Sequence, residues 1–570
     1  MESDHLNPTH KSSKYPHSKW IFLILLIIII SIITYYRVRI QMELGPILDT
    51  FDYLADAAEF AGKGIGFTDL NRPPFLSLVT ALFFIFGNLS VTPIFITDGL
   101  MSLFGCIGLF LLMRERLSSV VSFIGTLLFA TFPIVLTFTG AGFNDVSSVG
   151  VAIWAIYLTY LAVEKNSKWF YLSFPVAILA FLTRFNMALL IFPIFLYIFL
   201  NWDKIKNRKD ILIGMGLSLV VILPFLIYLW MKFGNPLYTF MDFFGTSGAS
   251  ASVGSTSEHF AYNPDPLYFL KNMPAYIGVQ SLMIVLLAML GFFFYLFRKW
   301  KQTTSGHNWF NFKLTNNSIK IKLALLTVLI IIFLFTFAKI HYFASEFLFM
   351  AIAYLAYTVF KDLGFGDWRM DLLFISWFMT FFIFQSVYVT KDHRYFIPMA
   401  VPMAYFLARA FSWSVSQLKV KFKNKNLTLY LGALILTLLM IFSAANQLSG
   451  IETDNENSML FNQDAQQASA WLMSYDPNYK SKVIYADLWS YFAWYLRMDV
   501  KKMPIFKNNQ TMYVGPKDYN FTREDNAAFD RELEKQRPDY YISAWKGMNF
   551  TSYVAIQRFG TVTIFKRVGG

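Results

Sequence analysis

The chain has 570 residues, of which 56% are hydrophobic and 15% are charged. Apolar runs of about 18 or more residues recur, the length needed to cross roughly 30 Å of hydrocarbon, which excludes a soluble globular protein. The net charge of +13 does not indicate nucleic-acid binding, because the basic residues lie in short loops between apolar runs, where they orient membrane helices. The single cysteine, Cys106, excludes a disulfide within the chain.

The N-terminal tail, residues 1–18, is predicted to be cytoplasmic because it carries Lys11 and Lys14 just before the first apolar run. A first span at about 19–40 then leads to a long outer loop, 41–91. Within this loop the apolar stretch 73–86 is short for a span, so we expect it to lie along the membrane surface. This placement keeps Arg114 and Arg116 on the cytoplasmic side.

The later apolar runs are assigned so that the basic loops between them also fall on the cytoplasmic side. Spans are predicted at about 92–113, 119–139, 145–163, 169–184, 187–201, 211–231, 277–297, 322–338, 341–360, 371–389, 394–412 and 428–446. The membrane-embedded region 19–446 thus contains about thirteen predicted transmembrane helices and a second outer loop, 232–276. We expect a polytopic α-helical protein of the plasma membrane.

Residues 451–570 differ in composition, since they are polar and rich in Asn, Asp, Lys and Tyr. Three segments have the pattern of strands, 482–487, 539–543 and 561–565, and the segment 490–497 has that of a short amphipathic helix. Because the last span ends on the outer side, these residues predict a small soluble extracytoplasmic α/β domain.

Acidic residues at the predicted outer ends of the helices are the first candidates for chemistry. Asp49 and Asp52 follow the first span, and Asp145 begins a later one. Ionisable groups beside a membrane are costly and usually line a cavity or pair with one another, and a carboxylate there is suited to act as a general base on a hydroxyl group. The alternatives are a solvated helix flank and an amphipathic surface helix with a wet acidic face.

Basic residues on the same predicted side suggest a phosphate ligand. Arg72, Arg184 and Arg394, with Lys391 as a further candidate, would hold a phosphate through charge-assisted hydrogen bonds. At a membrane boundary this ligand would be a lipid-linked phosphate. The chain has no Walker-type or dinucleotide-binding glycine motif, and its histidines lack paired spacing for zinc. We therefore expect no cofactor, while a divalent metal stays open.

The order and sidedness of these motifs resemble the C-type superfamily of membrane-embedded glycosyltransferases. The similarity is strongest to the branch of the lipid A aminoarabinose transferases and the dolichyl-phosphate-mannose protein mannosyltransferases. The matching features are Asp49, Tyr53 and Ala57 after the first span, the Arg72-Pro73-Pro74 corner, Phe86-Gly87, Asp145, and Arg394-Tyr395-Phe396-Ile397-Pro398. They cover the membrane region, and the C-terminal domain also agrees with this family.

This resemblance implies an inverting hexosyl- or pentosyltransferase of the cell envelope. It would move a sugar from a polyprenyl- or dolichyl-phosphate donor to a lipid, glycan or protein acceptor at the outer face. Asp49, Asp52 and Asp145 would be catalytic, and the substrate-binding residues would be Tyr53, Arg72, Arg184, His393, Arg394 and Tyr395. Thr50 and Arg72 stand where the family often has Glu and Lys, which leaves the choice of base between Asp49 and Asp52, and the donor sugar, open.

The alternative function is a transporter or flippase for lipid-linked sugars. Transport favours broken helices and charges at mid-membrane, whereas the candidate charges here gather at one predicted face, which favours an enzyme. The abundance of Ile, Lys, Asn and Phe is typical of AT-rich genomes and points to a prokaryotic source.

Overall fold

A computed structural model describes residues 17–68, 70–242, 263–303, 317–364, 366–388, 390–418, 421–422, 425–507, 510–512 and 521–569. Residues 1–16 of the predicted tail lie outside the described residues, as do residues 243–262 of the predicted loop 232–276.

Helices make up most of the described chain. In its first half they are α1 His17–Leu44, α2 Asp49–Phe60, α3 Phe75–Phe86, α4 Thr92–Arg114, α5 Ser119–Thr131, α6 Pro133–Phe138, α7 Asn144–Glu164, α8 Phe170–Thr183, α9 Ile191–Leu200 and α10 Lys209–Phe233. In its second half they are α11 Tyr238–Asp242, α12 Tyr268–Thr303, α13 Asn317–Thr336, α14 Tyr342–Asp362, α15 Arg369–Val387, α16 Ile397–Gln417, α17 Leu427–Asp454, α18 Glu456–Tyr475, α19 Trp489–Leu496 and α20 Arg523–Gln536.

Nine of the described helices are long and apolar enough to cross a membrane: α1, α4, α7, α10, α12, α13, α14, α15 and α17. Shorter apolar helices, α5, α8 and α9 among them, lie between these. The expectation of a polytopic α-helical membrane protein is therefore confirmed, and the count of about thirteen spans stays a prediction.

Helix α3 has only 12 residues, so it rises about 18 Å and is too short to cross the hydrocarbon. The preceding Pro73 and Pro74 fix the turn from which it begins. It packs against α2 and α4, and the apolar side chain of Phe86 at its end is 89% exposed. These features support the prediction that 73–86 lies along the membrane.

Helices α4 and α7 cross at very close range. A Cβ atom added to Gly105 would lie 2.4 Å from the Cα of Gly150 on the facing helix. Small residues at such a crossing let two membrane helices approach until their backbones touch. This contact fixes the position of α7, whose first residues carry Asp145.

Strands occur mainly after the last long helix. They are β1 Lys421–Phe422, β2 Lys425–Asn426, β3 Ile484–Ala486, β4 Lys501–Lys502, β5 Ile505–Lys507, β6 Gln510–Met512, β7 Tyr540–Ser543, β8 Tyr553–Phe559 and β9 Val562–Arg567. Five of them form one mixed sheet in the order β4-β3-β7-β9-β8, with β3 parallel to β4 and β7, and β9 antiparallel to β7 and β8. We call the part from α18 to β9 the C-terminal unit; its sheet confirms the predicted α/β character.

The C-terminal unit is built into the rest of the molecule. Helix α17 runs on to Asp454, past the predicted domain boundary at 446–451. One apolar core contains Phe51 and Leu54 of α2 and Phe84 of α3 together with Phe492 and Trp494 of α19. The loop after the first long helix and the C-terminal unit are therefore held together by shared burial.

Candidate active site

Asp49 is the first residue of α2, and Asp52 lies one turn later on the same side of the helix. Arg72, in the segment before α3, bridges them: its Nη2 lies 3.0 Å from Oδ1 of Asp49 and 2.9 Å from Oδ2 of Asp52. The Asp49 side chain is 20% exposed and that of Asp52 only 4%. The two candidate bases thus share one arginine but differ in their access to solvent.

Arg394 reaches the same carboxylate from the far end of the sequence. It lies in a short 3₁₀ helix, His393–Phe396, whose N-cap Asp392 accepts a hydrogen bond from the Arg394 amide at 3.2 Å. Its Nη1 donates to Oδ2 of Asp49 at 3.0 Å. Both oxygens of Asp49 therefore face an arginine.

Asp145 and Arg184 form a second, buried ion pair. Asp145 is on the first turn of α7 and Arg184 follows the last residue of α8. The side-chain Nδ2 of Asn144 donates to the carbonyl of Thr183 at 2.8 Å, which ties these two helix ends together. Oδ2 of Asp145 also lies 3.8 Å from Nη1 of Arg394. We call Asp49, Asp52, Asp145, Arg72, Arg184 and Arg394 the acid–arginine cluster.

The turn before α7 depends on a residue that the sequence analysis missed. Gly142 has φ +79°, and a Cβ there would lie 2.7 Å from the side chain of Thr50. Its amide donates to Oδ2 of the fully buried Asp98 at 3.2 Å, and the Ser147 hydroxyl donates to Oδ1 of the same carboxylate. Asp98 lies within an apolar run, and that position was the signal that could have identified it.

Aromatic rings surround the arginines. The Tyr395 ring centroid lies 5.3 Å from the guanidinium carbon of Arg184, and the Phe143 ring lies 5.3 Å from that of Arg394. Tyr53 is buried beside the cluster, and burial raises the pKa of its phenol above the ordinary value. Its hydroxyl is therefore neutral and available as a donor.

His393 and Lys391 lie on the same turn but have other contacts. The exposed His393 has its Nδ1 2.8 Å from the hydroxyl of Tyr276 and 3.4 Å from that of Tyr268, two tyrosines that the sequence analysis did not single out. Lys391 is buried, and its ammonium donates to the carbonyls of Gln385 and Tyr388 at the end of α15. Lys391 thus caps a helix, as basic side chains often do.

The cluster determines the charge state of its most accessible carboxylate. Burial acts to raise the pKa of Asp49, but the positive charges of Arg72 and Arg394 outweigh it and lower this pKa to about 2. Asp49 is therefore ionised at neutral pH and, while paired, is a weak base. Within the described ranges no group of three or more His, Cys, Asp or Glu side chains is placed to hold a metal ion, and metal dependence stays untested.

Residues 71–228 match the dolichyl-phosphate-mannose-protein mannosyltransferase family. This stretch contains Arg72, Asp145 and Arg184 of the cluster. No curated protein sequence matches the chain significantly.

Solved structures resemble the fold over nearly the whole chain. ArnT from Cupriavidus metallidurans bound to undecaprenyl phosphate is 11% identical with a TM-score of 0.55, over 97% of this chain and 99% of ArnT. The apo state of the same ArnT gives 12% identity and a TM-score of 0.56, over 97% and 98%. The oligosaccharyltransferase AglB from Archaeoglobus fulgidus, in complex with an inhibitory peptide and a dolichol-phosphate, gives 14% and 0.50, over 91% of this chain and 69% of AglB.

The family match lies in the first half of the membrane region, and the structural similarity covers 97% of the chain. The two findings agree with the resemblance drawn from the order of the motifs. The chain is therefore similar to the dolichyl-phosphate-mannose-protein mannosyltransferase family over residues 71–228, and it has the fold of the solved membrane proteins ArnT and AglB.

Proposed function

We propose that the protein transfers a sugar from a polyprenyl-phosphate-linked donor to an acceptor at the outer face of the membrane. The observation that carries this proposal is the acid–arginine cluster, in which three carboxylates and three arginines meet at one end of a membrane bundle. ArnT binds undecaprenyl phosphate and AglB binds a dolichol-phosphate and a peptide, which supports a lipid-phosphate donor and a lipid or protein acceptor.

The proposed reaction is an inverting displacement at the anomeric carbon of the sugar. An acceptor hydroxyl oxygen forms the new bond to this carbon while the bond from the carbon to the phosphate oxygen breaks. The hydroxyl proton passes to a carboxylate, and the lipid phosphate leaves with the bonding electron pair. Arginines next to that phosphate would stabilise the negative charge that develops on it.

Asp49 is favoured over Asp52 as the base. The side chain of Asp49 is 20% exposed and that of Asp52 is 4% exposed, so an incoming hydroxyl group has more access to Asp49. Asp52 then acts as the second acceptor that holds Arg72 in place. Arg72, Arg184 and Arg394 bind the phosphate in this scheme, with Tyr53, His393 and Tyr395 contacting the donor or acceptor.

Donor binding would also make the Asp49 carboxylate a stronger base. In the structure Arg72 and Arg394 both donate to Asp49. A phosphate is a bidentate acceptor for a guanidinium group and competes for these donors. As the arginines turn to the phosphate, Asp49 loses positive neighbours and becomes more basic. The carboxylate would therefore take up a proton readily only after the donor has bound.

The proposed orientation places the N-terminus in the cytoplasm and the cluster and C-terminal unit outside the plasma membrane of a prokaryote. Its support is the distribution of basic residues: Arg114, Arg116, Lys204 and Arg208 lie in loops at one side of the predicted spans.

The test uses the purified full-length protein with a panel of labelled polyprenyl-phosphate sugars and membrane-extract acceptors. We expect label to move into a product, and we expect Asp49→Asn to abolish transfer. Asp362→Asn is the matched control, since Asp362 lies at the end of α14 in a pair with Lys322. If Asp49→Asn and Asp52→Asn, singly and together, leave transfer intact, the proposal is wrong. Label that crosses sealed vesicles unchanged would instead support a transporter.

A further inference from the structure

Residues 45–48 form a four-residue linker between α1 and α2, so the position of Asp49 depends on them. Two of the four have unusual backbone angles. Gly45 has φ +81°, and Leu48, directly before Asp49, has φ 30° and ψ −97°. A bulky non-glycine residue seldom adopts a positive φ, and when it does the surrounding structure must hold it there.

Asn462 on α18 holds the first half of this linker. Its side-chain Nδ2 donates to the carbonyl of Leu44 at 3.1 Å and to that of Pro46 at 3.0 Å. The side chain is buried, and a Cβ added to Gly45 would lie 3.0 Å from its Cγ. The C-terminal unit thus contacts the backbone on both sides of Gly45.

Tyr491 on α19 holds the second half. Its hydroxyl accepts a hydrogen bond from the Leu48 amide at 3.3 Å, and its ring lies 4.4 Å from that of Phe51 on α2. The amides at the start of a helix have no partner within the helix, so this hydroxyl satisfies one of them from outside. Tyr491 therefore fixes the backbone one residue before Asp49.

We propose that the C-terminal unit positions the base, with Asn462 and Tyr491 as positioning residues that act through the linker. This inference rests on the proposed function and extends it, because it makes residues more than 400 positions away in sequence part of the active site. Asp49 must meet Arg72 and Arg394 with different oxygens. A small rotation at the start of α2 would break one of these contacts and misdirect the carboxylate.

The rate of transfer and the affinity for the donor should respond differently. Arg72, Arg184 and Arg394 lie on elements other than the linker and α2, so donor binding should survive when the linker is loosened. Misplacement of a reacting group by about 1 Å lowers turnover by about a hundredfold. A loosened linker should therefore lower kcat while the KM for the donor stays within about twofold of the wild type.

The test compares Tyr491→Phe with Tyr479→Phe in the full-length protein. Each change removes one hydroxyl group from the C-terminal unit that is bonded to the backbone: Tyr479 donates to the carbonyl of Leu496 at 3.1 Å, away from the linker. Asn462→Ala is compared with Asn455→Ala in the same way, since Asn455, between α17 and α18, donates to the carbonyl of Ile451 on α17, away from the linker. We expect kcat to fall about ten- to a hundredfold in the two linker variants and to stay near wild type in the controls.

Hydrogen–deuterium exchange gives a second measurement that does not need turnover. We expect faster exchange at residues 48–52 in Tyr491→Phe and Asn462→Ala than in either control, while exchange in α4 and α7 stays unchanged. If kcat and this exchange in the linker variants match the controls, the positioning role is overturned. If the wild type transfers no sugar, the proposed function fails, and the exchange measurement still decides whether the C-terminal unit orders the start of α2.

Discussion

Replacing Arg72 by glutamine should move the acid limit of the proposed transfer activity, the pH below which the rate falls, towards neutral pH. The Arg72–Asp49 contact is 3.0 Å between Nη2 and Oδ1, so the charge centres lie about 4 Å apart. At an effective dielectric constant of about 20 this pair is worth about 4 kcal/mol, or about 3 pKa units before solvent screening is counted. Arg394 remains beside Asp49, so we expect an increase of about 1 to 3 pKa units.

The direction of this shift in the acid limit follows from the lowered pKa of Asp49. A base must be ionised, and Asp49 with a pKa of about 2 loses its charge only when the pH falls through that value. The wild-type profile of kcat/KM, which reports the free enzyme, should therefore show no fall from Asp49 above about pH 4. In Arg72→Gln the fall should begin at about pH 3 to 5.

The assay is transfer of labelled sugar by the purified protein between about pH 3 and pH 8, a range that includes the predicted fall of Arg72→Gln, with Arg72→Lys as the control that keeps the positive charge. The double variant Asp52→Asn/Arg72→Gln shows which carboxylate titrates, and the shift should persist in it. An acid limit that is the same in Arg72→Gln and the wild type would refute the idea that this arginine holds Asp49 ionised.

Three further predictions concern the scaffold. Asp145→Asn should lower the free energy of unfolding by about 3–5 kcal/mol because it leaves Arg184 buried without its carboxylate. The double variant Asp145→Asn/Arg184→Gln should recover part of the thermal stability measured in detergent but no transfer. Equal stability of the single and double variants would contradict this. Gly105→Val should disrupt the contact with Gly150 and reduce the monodisperse fraction in size-exclusion chromatography, whereas a normal elution profile would show that the crossing can yield. Thr522→Ala removes the N-cap of α20 and should lower the stability of the C-terminal unit by about 1 kcal/mol without changing kcat, and a loss of kcat would contradict this.

Much of the architecture followed from local chemistry. Apolar runs of spanning length had to become buried or lipid-facing helices, and the Pro73–Pro74 corner had to precede a helix rather than interrupt one. The signs of the charges then assigned the candidate carboxylates and arginines to one side. Neither the assignment of spans nor that of sides depends on which helices are neighbours, so both could be made from the sequence.

The pairing within the site could not be derived in this way. Arg394 and Asp49 are 345 residues apart, and charge alone does not distinguish Arg394 from Lys391, three residues earlier on the same turn. The fold directs the Arg394 guanidinium to Asp49 and the Lys391 ammonium to backbone carbonyls. Similarly, Asp98 belongs to none of the sequence motifs, although its carboxylate accepts a hydrogen bond from the turn before Asp145.

The sequence by itself determined the membrane-embedded class, the family resemblance and the set of residues that carry charge beside the membrane, because these depend on composition, run length and order. Only the tertiary structure decided which arginine faces which carboxylate, that Asp49 is more exposed than Asp52, and that Asn462 and Tyr491 hold the linker before Asp49. These facts depend on contacts between segments hundreds of residues apart, and the packing of whole elements determines such contacts.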